Sequence, residues 1–168
     1  MDIQRISQLP GHCGPTSIAM MLSFYGVSTD QRELASRAGV SDPIEEIGSR
    51  MDQLNSAVKD QLDKYAILGK FECNLSDIDY VVNTLKLPFG IEWQGEFYGG
   101  TDGRFRIGHY SVVVGFNSNS DQLSIIDPDD ESIFRAGVLG KVELVDRWWE
   151  DNIMDNGERY RSRGFGFV

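Results

Sequence analysis

The sequence predicts an α+β fold in which helices come first and pack on an antiparallel sheet. Three observations carry it. Apolar residues recur at helical spacing up to about residue 58, and alternation of apolar and polar residues takes over after residue 65. A short polar stretch at 117–121 then joins two alternating runs in the manner of a β-hairpin. At 168 residues the chain fits one domain, 1–168, with enough length to bury a core unaided.

Residues 1–12 read as an extended lead-in. In Gly11-His12-Cys13-Gly14-Pro15-Thr16-Ser17, Pro15 suits the first turn of a helix, where its missing N–H has no intrahelical partner to lose. Ile18, Met21, Leu22 and Tyr25 continue as one apolar face, and Gly26 is the residue type expected just past the end. Cys13 therefore meets the positive end of a helix, which stabilises a thiolate by up to ~2 kcal/mol. That half-activates a nucleophile, so a base is expected elsewhere. A free cysteine is ordinarily a small buried hydrophobe, but Gly-His-Cys-Gly-Pro is not how a core helix is written.

Ser28 and Gln31 have capping-box spacing and predict a second helix closing near Gly39. Ser41-Asp42-Pro43 starts a third, through Ile44, Ile47, Met51, Leu54 and Val58. Phe71, Cys73 and Leu75 then alternate as a half-buried strand, with Cys73 packed inward beside Phe71. Ser76 with Asp79 caps a short helix through Tyr80, Val81 and Leu85, which Pro88 stops. Phe89 to Gln94 is a strand, and glycine-rich 99–104 is a mobile loop. The hairpin follows, His109–Phe116 and Leu123–Pro128 around the five-residue turn. The tail predicts a helix holding Val145, Trp148, Trp149 and Ile153, then a strand within Tyr160–Val168, with the paired tryptophans as core and rim packing.

A net charge of −10 argues against nucleic acid, which is bound by clustered Lys and Arg, and fits a cationic substrate. Two cysteines sixty residues apart make neither a disulfide framework nor a zinc pattern, so a reducing compartment is expected. There is no apolar run near the ~18 residues of a membrane span and no signal-peptide h-region, so with Met1 as the natural start the protein is expected in the cytoplasm. Asn117, Asn119 and Asp121 resemble the opening of a calcium loop, but Gln122 stands where Gly is needed and Pro128 where Glu is needed. No metal or cofactor is expected.

With only two histidines, the search for a base is short. His12 adjoins Cys13, and neighbours on a helix point about 100° apart, which makes it a solvent-exposed flank unless an irregular helix entrance turns it to the thiol. His109, at the mouth of a strand, is the better candidate. Pairing Phe116 with Gln122 sets Ser111 against Asp127, and alternation puts His109 on the same face, about 7–8 Å away on the diagonal. A register tighter by two residues places His109 and Asp127 directly opposite. Pro128 keeps Asp127 extended and ends the ladder there. Such a carboxylate fixes an imidazole's tautomer and steadies its charged form; the plain alternative is an Asp-Pro turn whose acidic residues are merely solvated.

Three runs, Cys13 to Gly26 (CGPTSIAMMLSFYG), His109 to Phe116 (HYSVVVGF) and Ile126-Asp127-Pro128, together resemble the bacteriocin-processing, double-glycine-leader cysteine peptidases and their free-standing relatives. The likeness spans the chain. It implies a papain-like fold, Cys13 as nucleophile, His109 as base, Asp127 as orienter, and an upstream glutamine as oxyanion-hole donor. The family usually places that glutamine six residues before the cysteine, and often has an acidic residue where His12 stands. Gln8 is five before Cys13, an offset that the irregular Leu9-Pro10-Gly11 link can absorb, while Gln4 is too distant. The best-known members are fused to a membrane transporter, and this chain carries neither spans nor an ATP-binding loop. The resemblance implies hydrolysis of a peptide or protein substrate. Acyl transfer to an amine or thiol, as in the related phytochelatin-synthase arrangement, would use the same triad, and a non-catalytic peptide-binding module could keep the same fold.

Overall fold

The computed structural model describes residues 1–40, 48–98, 104–134, 137–153, 159–164 and 166–168. Helix α1 (Cys13–Phe24) is followed by α2 (Gln31–Arg37) and α3 (Met51–Gln61). After β1 (Gly69–Lys70) comes α4 (Leu75–Asp79), continued by a π-helical stretch at Tyr80–Leu85. The chain then runs through β2 (Phe89–Tyr98), β3 (Arg104–Asn117), β4 (Gln122–Ile126), β5 (Val138–Gly140), α5 (Lys141–Arg147), β6 (Trp149–Ile153), β7 (Arg159–Arg163) and β8 (Gly166–Phe167). Among the described residues, eight strands form a six-stranded sheet of order β1-β8-β2-β3-β4-β5 and a separate β6–β7 ribbon, with antiparallel pairs throughout the described ladders. The α+β class is as the sequence predicts. No helix among the described residues is long and apolar enough to cross a membrane.

The large sheet is the middle layer. Tyr110 and Val112 of β3 join Ile18, Met20, Leu34 and Leu54 from the helices in one core cluster. Val113, one residue on, joins Ile91, Trp93, Ile125, Ile78 and Leu144 in a second. Consecutive strand residues point to opposite faces, so β3 is covered on both there, which is why Val112-Val113-Val114 is continuously apolar. Helix α1 is buried through every residue from Gly14 to Leu22, not along one face. It lies between the sheet and α2–α3, and Tyr25, expected on the buried face, caps the helix at 43% exposure. Gly14 is set by this packing: a Cβ there would lie 2.6 Å from Ser49 Oγ and 3.0 Å from a Leu54 methyl.

Several boundaries differ from the sequence reading. Helix α2 starts at Gln31 because Asp30, not Ser28, caps it, accepting from Arg32 N–H at 2.7 Å. Residues 41–47, where a third helix was expected to start, lie outside the described residues; α3 begins at Met51, with Gln53 Oε1 accepting from Arg50 N–H at 3.0 Å. The expected strand at 71–75 is absent, because Glu72 takes a left-handed φ of 57° and breaks the alternation. Cys73 is buried as expected, whereas Phe71 is 53% exposed. Asn74, not Ser76, caps α4, with Asp77 accepting in turn from Asn74 N–H. Strand β2 runs on to Tyr98, and residues 99–103 of the expected loop lie outside the described residues. In the tail, the helix ends at Arg147, and Trp149 to Ile153 pair with β7 as a strand. The returning strand arrives in two pieces, β7 and β8.

The hairpin differs at its turn and agrees at its base. Asn117 pairs with Gln122 and Phe116 with Leu123, so the turn is one residue shorter than expected. A bulge between Val113 and Gly115 then takes up one extra residue on β3. Beyond it Val113 pairs with Ile125 and Val112 with Ile126, the register that sets Ser111 against Asp127.

Candidate active site

Residues 9–12 deliver Cys13. Pro10 at the second position of the turn, Gly11 at the third with φ 73°, and a bond from His12 N–H to the Leu9 carbonyl (2.9 Å) give the signature of a type II turn. Only glycine takes that φ without strain. The turn is pinned to the helices by Gln31, a residue that sequence reasoning gave only a capping role. Its Oε1 accepts from Leu9 N–H (2.8 Å) and Thr16 Oγ1 (2.8 Å), and its Nε2 donates to the Ser7 carbonyl (3.0 Å).

His12 is not the exposed flank the sequence suggests. Its exposure is 0%, because the irregular helix start (φ −93°, ψ 21°) folds the ring back so that Nδ1 bonds the Pro10 carbonyl at 2.9 Å. Nε2 is buried without a hydrogen-bond partner among the described residues. The histidine on which Cys13 acts electrostatically is His109.

The His109 ring is 3% exposed and stands edge-on to Phe97, with centroids 4.9 Å apart at 84°. Trp93 is its ladder partner on β2. Nε2 bonds Asp127 Oδ1 at 2.9 Å, which leaves Nδ1 for the thiol. Asp127 is fully buried and receives four hydrogen bonds: His109 Nε2 and Asp129 N–H (2.9 Å) on Oδ1, Ser111 Oγ (3.1 Å) and Ser132 Oγ (2.9 Å) on Oδ2. Trp93 Nε1 donates to Ser111 Oγ at 3.0 Å and so fixes which way that hydroxyl points. Buried carboxylates need such a set of donors, and a complete set holds the group in one rotamer. The alternation that groups His109 with Asp127 also points to Ser111. Nothing in the sequence marks Ser132, Trp93 or Phe97.

Electrostatics follow from this geometry. Burial opposes the charged form of His109, but the charge and hydrogen bond of Asp127, joined by the hydrogen bond and charge of Cys13, outweigh it and raise the pKa from 6.5 to about 10. Burial likewise opposes ionisation of Asp127, and the charge and hydrogen bond of His109 with the Asp129 N–H and Ser132 bonds hold it below the usual carboxylate value. Cys73 differs: burial first, then the Asp77 charge, push its thiol up against a smaller opposing effect of Lys70.

A pH dependence of stability follows. A proton held more tightly by folded His109 stabilises fully below the unfolded value of about 6.5 and is lost as pH rises through about 10. Asp127, with a lowered pKa, contributes above 3.8 and loses that contribution as pH falls through its folded value. The Tm advantage of the natural protein over Asp127→Asn should therefore be greatest between about pH 4 and 6.5 and shrink steadily toward pH 10. An advantage that stayed level across that range, followed by circular dichroism, would mean that Asp127 does not hold the ring's proton.

Gln8 belongs to the lead-in, which is fastened to the loop after β4. Its N–H donates to the Pro128 carbonyl (2.9 Å) and its Nε2 to Asp129 Oδ2 (2.7 Å). Arg5 ties the same two pieces, donating through Nε to the Asp127 carbonyl (2.7 Å) and through Nη2 to the Pro128 carbonyl (3.1 Å), and pairing with Asp130 at 2.8 Å. The structure thus joins His109 to Asp127 by a hydrogen bond, brings Cys13 within electrostatic reach of the same ring, and anchors Gln8 beside the Asp127 loop.

A family model described as Peptidase_C39 like family matches residues 1–149. The fold is similar to the peptidase domain of Streptococcus ComA, a bi-functional ABC transporter involved in a quorum-sensing pathway: 17% identity, TM-score 0.60, 99% of this chain and 97% of that one covered. It is also similar to a double-glycine-motif protease from an AMS/PCAT transporter, solved with its leader peptide: 18% identity, TM-score 0.58, 99% and 90% covered. No curated protein matches the sequence.

Proposed function

The chain belongs to the Peptidase_C39 like family, and from that premise we propose that residues 1–168 act as one cysteine peptidase domain that hydrolyses a peptide bond through Cys13, His109 and Asp127, with Gln8 in the oxyanion hole. The observation that carries the proposal is the His109 ring held at 2.9 Å by the fully bonded Asp127, with Cys13 at the start of α1 close enough to help raise the ring's pKa. A ring that stays protonated at neutral pH beside a thiol is the arrangement a thiolate nucleophile needs.

In the proposed reaction the Cys13 sulfur forms a bond to the substrate carbonyl carbon, and the carbonyl oxygen takes the displaced electron pair. The Cys13 backbone N–H and the Gln8 amide receive that oxyanion. The C–N bond then breaks, and His109 gives its proton to the leaving amine. Water attacks the thioester while His109 takes up a proton, and the acid and free thiol are released. The AMS/PCAT protease binds a leader peptide; by extension we propose a peptide substrate here, and the net charge of −10 favours a cationic one. Both cysteines are free, in keeping with a reducing compartment such as the cytoplasm.

Iodoacetamide below pH 7 should label Cys13 well ahead of Cys73 and abolish cleavage of a peptide library followed by mass spectrometry. Labelling of Cys73 first, or cleavage that survives full alkylation of Cys13, would overturn the proposal. Products that carry an added amine acceptor would reassign the enzyme to acyl transfer.

A further inference from the structure

We infer that Asp129 is a positioning residue that aims the Gln8 side-chain amide, an inference that rests on Gln8 as the oxyanion donor. Gln8 sits one residue nearer the nucleophile than the spacing of the resembling family, with the tight 9–12 turn between them. A glutamine side chain has three torsions, and something must hold them if its amide is to meet an oxyanion without reorganisation. Asp129 supplies that hold. Its Oδ2 accepts from Gln8 Nε2 at 2.7 Å, and its Oδ1 accepts from Glu131 N–H at 2.8 Å. A primary amide has two N–H donors, so one engages Asp129 and the other is left for substrate. The Gln8 backbone is fixed by the preceding residue of the same loop, through the Pro128 carbonyl.

The loop also links two roles. The Asp129 N–H donates to Asp127 Oδ1, the oxygen that faces His109. One tight turn after β4 therefore orients the base through Asp127 and the oxyanion donor through Asp129, and Arg5 clamps that turn to the lead-in from the other side. Only a carboxylate can accept on both oxygens at once. Asparagine has one acceptor oxygen and must abandon either Gln8 or Glu131 N–H. Serine can keep the local turn to Glu131 but is too short to replace the Gln8 contact.

The test compares Asp129→Ser and Asp129→Asn with the natural protein and with Gln8→Ala, singly and combined. Three readouts are taken: kcat on a cleaved peptide, affinity for acetyl-glycyl-glycine aldehyde, whose hemithioacetal with the thiol sets a tetrahedral oxygen in the oxyanion position, and the rate of Cys13 alkylation by iodoacetamide, which sets none there. Each Asp129 variant should lower kcat and aldehyde affinity by about tenfold, less than the 10²–10³ for loss of the donor itself, and leave alkylation within about twofold. On the Gln8→Ala background the further change should be under about twofold, because the residue acts only through Gln8. Unchanged or raised kcat, alkylation slowed in step with kcat, or an undiminished tenfold loss on the Gln8→Ala background would each overturn the inference. In the unmutated protein one Gln8 side-chain amide proton should exchange slowly by NMR; exchange of both at the rate of a free glutamine would overturn it without any variant. Full turnover and aldehyde affinity in Gln8→Ala alone would instead remove the oxyanion assignment made above, a result read without reference to Asp129.

Discussion

Replacing Cys13 or His109 by alanine is expected to lower kcat by about 10⁴-fold or more, and replacing both should cost little beyond either alone. The proposed roles are not separable: the thiolate exists because the ring takes its proton, and the ring matters because it returns that proton to the leaving amine. Asp127→Asn should leave a measurable remnant. Asp127 accepts from His109, Asp129 N–H, Ser111 and Ser132, and asparagine would turn an N–H₂ toward one of these donor pairs. Each hydroxyl oxygen keeps a lone pair that can accept from the amide, while His109 Nε2–H and the Asp129 N–H can only donate, so the oxygen should stay on their side. The ring then keeps its direction and loses the charge that supports its proton. His12→Ala is the control, expected to act on Tm more than on kcat, because its ring is buried and bonded to Pro10. Steady-state kinetics with folding followed by circular dichroism decide this. Equal damage from His12→Ala and His109→Ala would move the base to His12.

Gln8→Ala is expected to reduce kcat by about 10²–10³ with little change in the rate of Cys13 alkylation. The backbone N–H of Cys13 is one donor at a helix start, and a developing oxyanion needs a second. In the folded protein the Gln8 amide is held at Nε2 by Asp129, and its Oε1 is buried without a partner among the described residues. Truncation removes the donor and frees Asp129, but leaves the thiol, His109 and Asp127 in place. Turnover within about threefold of the natural protein would mean that another group completes the hole.

Local chemistry was enough for part of this protein. Pro15 and the apolar spacing after it put Cys13 at a helix start, and α1 begins at that residue. Alternation put His109, Ser111 and Asp127 on one face, because the period of a strand is independent of what packs against it. The base of the hairpin came out in the expected register although the turn is shorter, since a bulge in β3 took up the difference. Sequence alone cannot place a bulge, which depends on how both faces of the strand are covered.

What tertiary structure decided lies where a short-range preference was outbid by a distant partner. Gln31 has the spacing of a capping residue, but its side chain is engaged by Ser7, Leu9 and Thr16, so Asp30 caps α2. Trp149 continues a helical spacing, yet a ladder with β7 draws it into a strand. His12 is polar beside a turn and reads as exposed, but the turn closes over it. Ser132 and Trp93 are ordinary residues until the chain brings them to Asp127 directly or through Ser111. Periodicity and capping are written within a few residues of the chain and can be read there. The completion of a buried carboxylate's hydrogen bonds is set by groups from a neighbouring strand and the following loop, up to 18 residues away, and only the closed fold determines which of them arrive.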